Sequence, residues 1–181
     1  MFEDTKLSKA GTSNENNFGI MNPPIYRAST IHFPSIQSFN TRFDRRFDEV
    51  VYGSYGTPTT KALEIAISEL ENATRSIAVT SGTAAITLTF MACLKPGDHL
   101  LVTDNAYKST RTLCETLMSK LDINTSYFPP DVGSKIGSYL RPETKLVFLE
   151  SPGSFTFEMH DIPAITAVCR KRNVLTAIDN T

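Results

Sequence analysis

The sequence predicts an α/β fold with three layers and a mainly parallel sheet. From Thr59 onward short apolar runs alternate with longer stretches of helical periodicity, and runs such as residues 146–149 show no polar alternation. Alternating strands and helices are typical of βαβ crossovers, which produce parallel sheets. Strands without polar alternation are typical of a sheet that helices cover on both faces.

Each predicted element follows from a local pattern. Thr59 or Thr60 is positioned to cap a first helix, whose apolar stripe carries Leu63, Ile67 and Leu70. Asp161 is positioned to cap the last helix, because Pro163 follows near its start. The strands are predicted at residues 77–79, 100–102, 123–128, 146–149 and 174–178, and the later helices at residues 83–94 (buried), 107–121, 132–140 and 161–172.

Residues 1–57 differ in texture from the rest, being rich in Asn, Ser, Phe and Arg and interrupted by prolines. We expect an extended arm that packs on another surface, such as a second subunit. A disordered tail is the alternative, but the segment is more apolar than disordered chains usually are. Its apolar residues include Ile25, Tyr26, Ile31, Phe33, Ile36 and Phe39.

Composition excludes several classes of function. The chain has 181 residues and a formal net charge of −1, without the basic excess that marks nucleic-acid binding. No apolar run approaches the roughly 18 residues of a membrane span, and the acidic N-terminus has no apolar signal region. Metal-site spacing is also absent, because the histidines are scattered and the three cysteines lie far apart. We therefore expect a soluble cytoplasmic protein with buried free thiols at Cys93, Cys114 and Cys169.

Two candidate site motifs follow predicted strands directly. Ser81-Gly82-Thr83 stands at a helix start, where free N–H groups and a partial positive charge favour phosphate, although a simple helix cap is the alternative. Tyr107 follows the strand at residues 100–102, so its ring is positioned to stack on a flat cofactor. The alternative is a tyrosine that packs on the sheet.

Two further motifs complete the candidate site. Asp179 ends the last predicted strand, and open α/β sheets bind ligands at such strand tips. It is a candidate metal ligand, ribose partner or ring-nitrogen partner, with a turn aspartate as the alternative. The segment at residues 51–59 contains Tyr52-Gly53 and Tyr55-Gly56 before a helix, which predicts a tight aromatic loop.

These motifs occur in an order that resembles the N-terminal half of the pyridoxal-phosphate enzymes of cysteine and methionine metabolism. The similarity runs from Tyr26 to the last residue, and its motifs are weak singly but specific together. The ending of the Glu150 motif, where many relatives carry Asn-Pro after the Ser-Pro, points to the cystathionine β-lyase branch. The matching motifs are Tyr26-Arg27-Ala28-Ser29-Thr30, Tyr52-Gly53, Gly56-Thr57, Gly97-Asp98-His99, Asn105-Ala106-Tyr107, Phe148-Leu149-Glu150-Ser151-Pro152-Gly153-Ser154 and Ile178-Asp179-Asn180-Thr181.

The resemblance implies a fold and a function. The fold is the large domain of pyridoxal-phosphate-dependent transferases, here incomplete, with residues 1–57 as an arm for oligomer contacts and residues 58–181 as a partial cofactor-binding domain. The implied function is a lyase of methionine biosynthesis and transsulfuration that splits cystathionine into homocysteine, pyruvate and ammonia. Related γ-lyase and γ-synthase activities remain alternatives. The implied assembly is a cytoplasmic homodimer or homotetramer.

The resemblance also assigns roles to matching residues. Gly82 and Thr83 would donate N–H groups to the cofactor phosphate, and Asp179 would pair with the pyridine nitrogen. Tyr107 would stack on the ring and assist proton movement, while Tyr52 would reach into a neighbouring subunit's site. A carboxylate beside the ring nitrogen keeps it protonated, which makes the ring an electron sink.

Two departures from the family pattern stand out. Relatives usually carry an arginine for the phosphate two residues after the tyrosine, where this chain has Ser54. A serine supplies no charge, so we expect weaker phosphate binding unless Arg45, Arg46 or Arg111 compensates. The family's Schiff-base lysine lies in a Ser-x-Thr-Lys context about 25 residues after the aspartate strand, and no lysine here has that setting.

The second departure leads to two expectations and leaves two other readings open. We expect that this chain alone does not attach the cofactor at the family position and is inactive alone. We also expect the strand at residues 77–79 to lack its sheet neighbours. A truncated product that only associates through residues 1–57 is one alternative. A nucleotide-binding domain is another, although its Gly-rich first turn is missing.

Overall fold

A computed structural model describes residues 3–12 and 18–181 of the chain. The chain divides into two compact units, residues 1–78 and residues 79–181. The first unit contains helix α1 (Glu3–Lys9), helix α2 (Ile36–Asn40), helix α3 (Pro58–Leu70) and short 3-10 helices at Arg42–Arg45 and Gly53–Tyr55. The second unit contains helix α4 (Gly82–Cys93), strand β1 (His99–Thr103), helix α5 (Lys108–Leu113), a π-helical turn (Cys114–Met118), strand β2 (Asn124–Phe128), a 3-10 helix (Gly133–Ser138), strand β3 (Thr144–Glu150), helix α6 (Ile162–Lys171) and strand β4 (Leu175–Asp179).

The first unit buries little of its apolar surface. Val51 and Thr57 are its buried residues within the described ranges, at 2% and 8% exposure. The predicted stripe of α3 is largely exposed, since Leu63 retains 56% of its accessible surface. An apolar face left in solvent is typical of a surface that contacts another part of a protein or a partner.

The predicted cap of α3 is wrong. Thr57 occupies the cap position, and its side chain makes no capping hydrogen bond. Thr59 holds the N-terminal segment instead: its Oγ1 accepts the Tyr26 amide at 2.8 Å and donates to the Pro24 carbonyl at 2.7 Å. A hydroxyl can satisfy a distant backbone group as readily as a helix end, and no local pattern distinguishes the two uses.

The second unit is built on a parallel sheet of four strands in the order β2-β1-β3-β4. Helices α4 and α5 cover one face, and α6 with the 3-10 helix at Gly133–Ser138 covers the other. The α/β class, the mainly parallel sheet and the three layers predicted from the sequence are confirmed.

Alternation along each strand decides which face a side chain enters. Leu146 and Phe148 of β3 pack beneath α4, where the Phe148 ring meets the Phe90 ring edge-on at 5.1 Å. Val147 and Leu149 pack on α6. Both faces of β3 are therefore buried, which explains its continuous apolar sequence.

Several predicted elements differ from the structure. Residues 77–79 join no strand ladder, and Ile77 is 74% exposed. Helix α4 is not buried all round, because Leu88 and Met91 are more than half exposed. The helix predicted at residues 107–121 begins at Lys108 and changes to π-helical geometry, and the helix predicted at residues 132–140 is a 3-10 helix.

The three cysteines are free thiols, but they are not equally buried. Cys114 and Cys169 are buried and Cys93 is half-buried, and all are free. Burial raises the pKa of Cys114 to about 11.

Among the described residues no helix has the length and apolar character that crossing a bilayer requires. The same ranges contain no group of three or more His, Cys, Asp or Glu side chains arranged around a common point for a metal.

Candidate functional site

The N-terminus of α4 presents two backbone donors. The Ser81 side chain accepts the Ala84 amide at 3.1 Å, and the Ser81 carbonyl accepts the Ala85 amide. The amides of Gly82 and Thr83 remain, and no acceptor is recorded for them in the part of the chain that the structure describes. First-turn amides have no partner within their own helix, so these two are available to an anion.

Space around Gly82 is open. A Cβ built on Gly82 would meet no heavy atom within 4 Å. A ligand can therefore approach the backbone closely, and the helix end adds a partial positive charge. This end of α4 is suited to a phosphate or carboxylate.

The orientation of α4 places this end at the carboxyl edge of the sheet. Helix α4 ends at Cys93, and a short turn leads to the start of β1 at His99, so the C-terminus of α4 lies at the amino edge. Phe90 packs on Phe148 midway along β3. Gly82 lies eight residues before Phe90, which at a rise of about 1.5 Å per residue carries it roughly 12 Å toward the other edge.

Tyr107 lies in the loop after β1, at the same edge. Its side chain is 51% exposed, and its ring stacks on the Phe155 ring with centroids 6.5 Å apart and an interplanar angle of 25°. Its amide donates to Glu150 Oε2 at 2.8 Å. The Tyr107 loop is therefore tied directly to the end of β3.

Asp179 ends β4 opposite Glu150 of β3. Paired residues of parallel strands project to the same face, and this is the face that α4 covers, because Phe148 precedes Glu150 by two residues. One oxygen of Asp179 accepts from the amide and the hydroxyl of Thr181, at 3.0 and 2.6 Å. Its other oxygen has no recorded protein donor among the described residues and is available to a ligand.

The structure thus brings four of the five predicted site residues to one edge of the second unit. These are Gly82 and Thr83 at the start of α4, Tyr107 after β1 and Asp179 at the end of β4. Tyr52 belongs to the first unit, where it is 43% exposed and precedes the 3-10 helix Gly53–Tyr55. Gly53 is closely enclosed there, since a Cβ on it would lie 1.9 Å from the Ala28 carbonyl oxygen.

Three arginines were candidates to supply the positive charge that Ser54 lacks. Two of them already have carboxylate partners. Arg45 pairs with Glu49 at 2.8 Å, and Arg111 pairs with Asp104 at 2.7 Å. The hydrogen bond to Asp104 raises the pKa of Arg111 further above its ordinary value.

Arg46 is engaged differently. It lies over the Phe47 ring at 4.4 Å and donates to the Phe43 carbonyl at 2.7 Å. Arg46 and Ser54 line the same cavity of about 1410 Å³ in the first unit. Of the three arginines, Arg46 is the one without a carboxylate partner in the described chain.

Sequence reasoning missed a polar network around the Tyr107 loop. The hydroxyl of Thr103 and the ring of His160 meet at 3.0 Å, and burial lowers the pKa of His160. Asn105 donates to Glu158 at 3.3 Å, and the hydrogen bond from Thr156 lowers the pKa of Glu158. The network joins the loop after β1 to the segment after β3. Its one sequence signal is a run of polar residues directly after two apolar strands.

The chain is similar in sequence to known proteins. The family model described as "Cys/Met metabolism PLP-dependent enzyme" matches residues 4–181. The chain is 41% identical over 182 residues to cystathionine beta-lyase MetC of Escherichia coli, covering 98% of this chain and 46% of that protein. It is 39% identical to cystathionine beta-lyase of Salmonella typhimurium over the same coverage.

The chain is also similar in structure to solved proteins. The chain superposes on cystathionine gamma-lyase from Lactobacillus plantarum, solved with L-serine, with a TM-score of 0.88 and 28% identity. That match covers 100% of this chain and 45% of the other. The chain therefore spans about half the length of the relatives that it matches.

Proposed function

Because the chain belongs to the Cys/Met metabolism PLP-dependent enzyme family, we propose that it forms the cofactor-binding part of a carbon–sulfur lyase acting on cystathionine. The observation that carries this proposal is the position of Gly82, Tyr107 and Asp179 at the same edge of the sheet. The names of the relatives from E. coli and S. typhimurium support the choice of substrate.

The phosphate end of pyridoxal phosphate fits the start of α4. Two free amides, a partial positive charge and the open space at Gly82 match a phosphate group. Thr83 adds a hydroxyl next to these amides. Ser54 supplies no charge in the first unit, so we propose that the amides of Gly82 and Thr83 carry most of the phosphate binding by this chain.

The ring end fits Asp179 and Tyr107. The unengaged oxygen of Asp179 is suited to hold a proton on a ring nitrogen, and the half-exposed Tyr107 ring is suited to cover a flat aromatic group. When bound, the cofactor supplies the electron sink that stabilises negative charge at the substrate Cα. The Asp179 carboxylate maintains that sink by keeping the ring nitrogen protonated.

The proposed reaction removes the Cα proton of cystathionine and breaks the bond between the β-carbon and sulfur. The sulfur leaves as the thiol of homocysteine, and one water hydrolyses the remaining three-carbon enamine acid to pyruvate and ammonia. We propose that the Tyr107 hydroxyl takes part in moving the proton, and that Tyr52 of one subunit contributes to the site of another. We further propose a role in methionine biosynthesis, a cytoplasmic location and a homodimer or homotetramer in which residues 1–57 form the oligomer contacts.

A chimera would test the reaction directly. Residues 1–181 would be joined to the remaining half of the E. coli relative and supplied with pyridoxal phosphate and cystathionine. We expect pyruvate and homocysteine, and at least a hundredfold lower rate for Asp179→Ala, since the electron sink is lost (about 2.7 kcal/mol or more). A four-carbon keto acid and cysteine would show γ-elimination, and no turnover with correctly folded protein would contradict the proposal.

A second, non-enzymatic function is favoured by the exposed apolar side chains of the first unit, among them Ile25 and Ile36 at 77% and 76% exposure. In this alternative the chain only associates with copies of itself or with a longer relative. Light scattering on residues 1–181 and on residues 58–181 would decide. An equal number of subunits in both samples would exclude residues 1–57 as the association surface.

A further inference from the structure

Glu150 is a buried carboxylate at the end of β3, next to Asp179 and the Tyr107 loop. It is 6% exposed, and its two oxygens accept from different donors. Oε2 accepts the Tyr107 amide at 2.8 Å, and Oε1 accepts the Ser154 hydroxyl at 2.5 Å. Burying a carboxylate is costly unless donors satisfy it, so the positions of Glu150 and its donors depend on one another.

Without Glu150 the Tyr107 amide would lack a protein acceptor within the described part of the chain. Tyr107 precedes the first residue of α5, and its side chain makes no capping bond. Its amide therefore has no partner inside that helix. Among the described residues, Glu150 is the group that accepts from this amide.

The segment after Glu150 interlocks with the loop that carries Tyr107. The Ser154 amide donates to the Asn105 carbonyl at 3.0 Å. A Cβ on Gly153 would lie 1.9 Å from Asn105 Nδ2, so the two segments meet without space for a side chain. The Asn105 side chain is fixed in turn, because its Oδ1 accepts the Thr103 hydroxyl at 2.6 Å.

Phe155 completes the support on the ring side. It stacks on Tyr107 and adopts a φ of +66°, a left-handed conformation that is unfavourable for a phenylalanine. Such a conformation persists only where surrounding contacts impose it. The hydrogen bonds of the neighbouring Ser154 to Glu150 and to Asn105 impose this conformation on Phe155.

We propose that Glu150 is a positioning residue that fixes the main chain of Tyr107 and, through Ser154 and Phe155, the place of the Tyr107 ring. The inference rests on the proposed function in assigning that ring to the cofactor. The restraint that Glu150 places on Tyr107 is a property of this chain and is measurable without any ligand.

The test is amide hydrogen exchange and ring-to-ring NOEs in isotopically labelled residues 1–181, without pyridoxal phosphate. Glu150→Ala should accelerate exchange at the Tyr107 amide by about 10- to 100-fold, the loss of one hydrogen bond to a charged acceptor. It should also abolish the NOE between the Tyr107 and Phe155 rings. Glu150→Gln, whose amide oxygen still accepts, should retain most of the protection.

Asp98→Ala is the matched control. Asp98 is 7% exposed, and its Oδ2 accepts the Lys95 amide at 2.9 Å, which is the same chemistry in a different part of the second unit. Asp98→Ala should accelerate exchange at Lys95 and leave Tyr107 unchanged. Equal acceleration at Tyr107 in the Asp98 and Glu150 variants would show a general loss of stability and overturn the proposal.

Ser154→Ala covers the case in which Glu150→Ala does not fold. It removes one donor and leaves the carboxylate in place, so faster Tyr107 exchange with a weaker ring NOE is expected. Unchanged values for both would refute the proposal. If these results hold but added pyridoxal phosphate leaves the Tyr107 ring signals unaffected, Glu150 keeps its positioning role and the proposed function fails.

Discussion

Gly82→Ala is the substitution that best separates binding from folding in this chain. The added Cβ would meet no heavy atom within 4 Å, so the protein itself has room for it. Alanine is a better helix former than glycine, which predicts an unchanged or higher free energy of unfolding, by up to about 1 kcal/mol. The same methyl group would occupy the space that a phosphate needs to reach the two amides. Weakening one charge-assisted hydrogen bond by about 1.5–3 kcal/mol predicts roughly 10- to 100-fold lower affinity for pyridoxal phosphate.

The assay pairs urea unfolding with calorimetric titration of pyridoxal phosphate and of pyridoxal, which lacks the phosphate. Gly137→Ala is the control, because its Cβ would make an ordinary contact of 3.5 Å with Val168 in a different part of the second unit. The control should change neither affinity. If Gly82→Ala leaves the difference in affinity between pyridoxal phosphate and pyridoxal unchanged, the N-terminus of α4 does not bind the phosphate and the assignment is refuted.

Three further predictions concern the sheet, the site and one buried histidine. Phe90 is fully buried against Phe148, so Phe90→Ala should lower the free energy of unfolding by about 3–5 kcal/mol in urea titration, whereas Leu88→Ala, on the exposed side of α4, should cost less than about 1 kcal/mol. Borohydride reduction of residues 1–181 with pyridoxal phosphate should label exposed lysines diffusely in peptide mapping, and a single dominant lysine would contradict the expectation from the sequence. Burial lowers the pKa of His99 below its ordinary value of 6.5; the unfolded chain therefore binds more protons than the folded one, and stability should fall as pH drops below about 6.5. In urea titrations at neutral and mildly acidic pH, His99→Gln should reduce the fall in the free energy of unfolding. An unaltered fall would show that His99 does not cause it.

Two features with clear local signals were predicted correctly. The start of α4 follows from the Ser81 cap, and Asp179 could be placed at a strand tip because the apolar run before it is short and uninterrupted. The failure at residues 77–79 has a physical reason. An apolar run indicates a strand only if neighbouring strands are present to pair with it, and the described chain supplies none there.

The support of Tyr107 could not be predicted. The bond between the Tyr107 amide and Glu150 spans 43 residues, and a contact between side chain and backbone at that separation leaves no periodic pattern. The exposure of Leu63 was missed for a related reason, since an apolar stripe shows that a helix has a face to bury but not what buries it.

The most direct test of the central claim, that this edge of the sheet binds pyridoxal phosphate, is a titration of isotopically labelled residues 1–181 followed by NMR. The account predicts saturable shifts at the amides of Gly82 and Thr83, at the Tyr107 ring and at Asp179. When Asp179 is replaced by Asn, the Tyr107 response should weaken while the Gly82 and Thr83 amides still respond at saturation. Saturable shifts centred elsewhere in the second unit, or none at these residues, would contradict it.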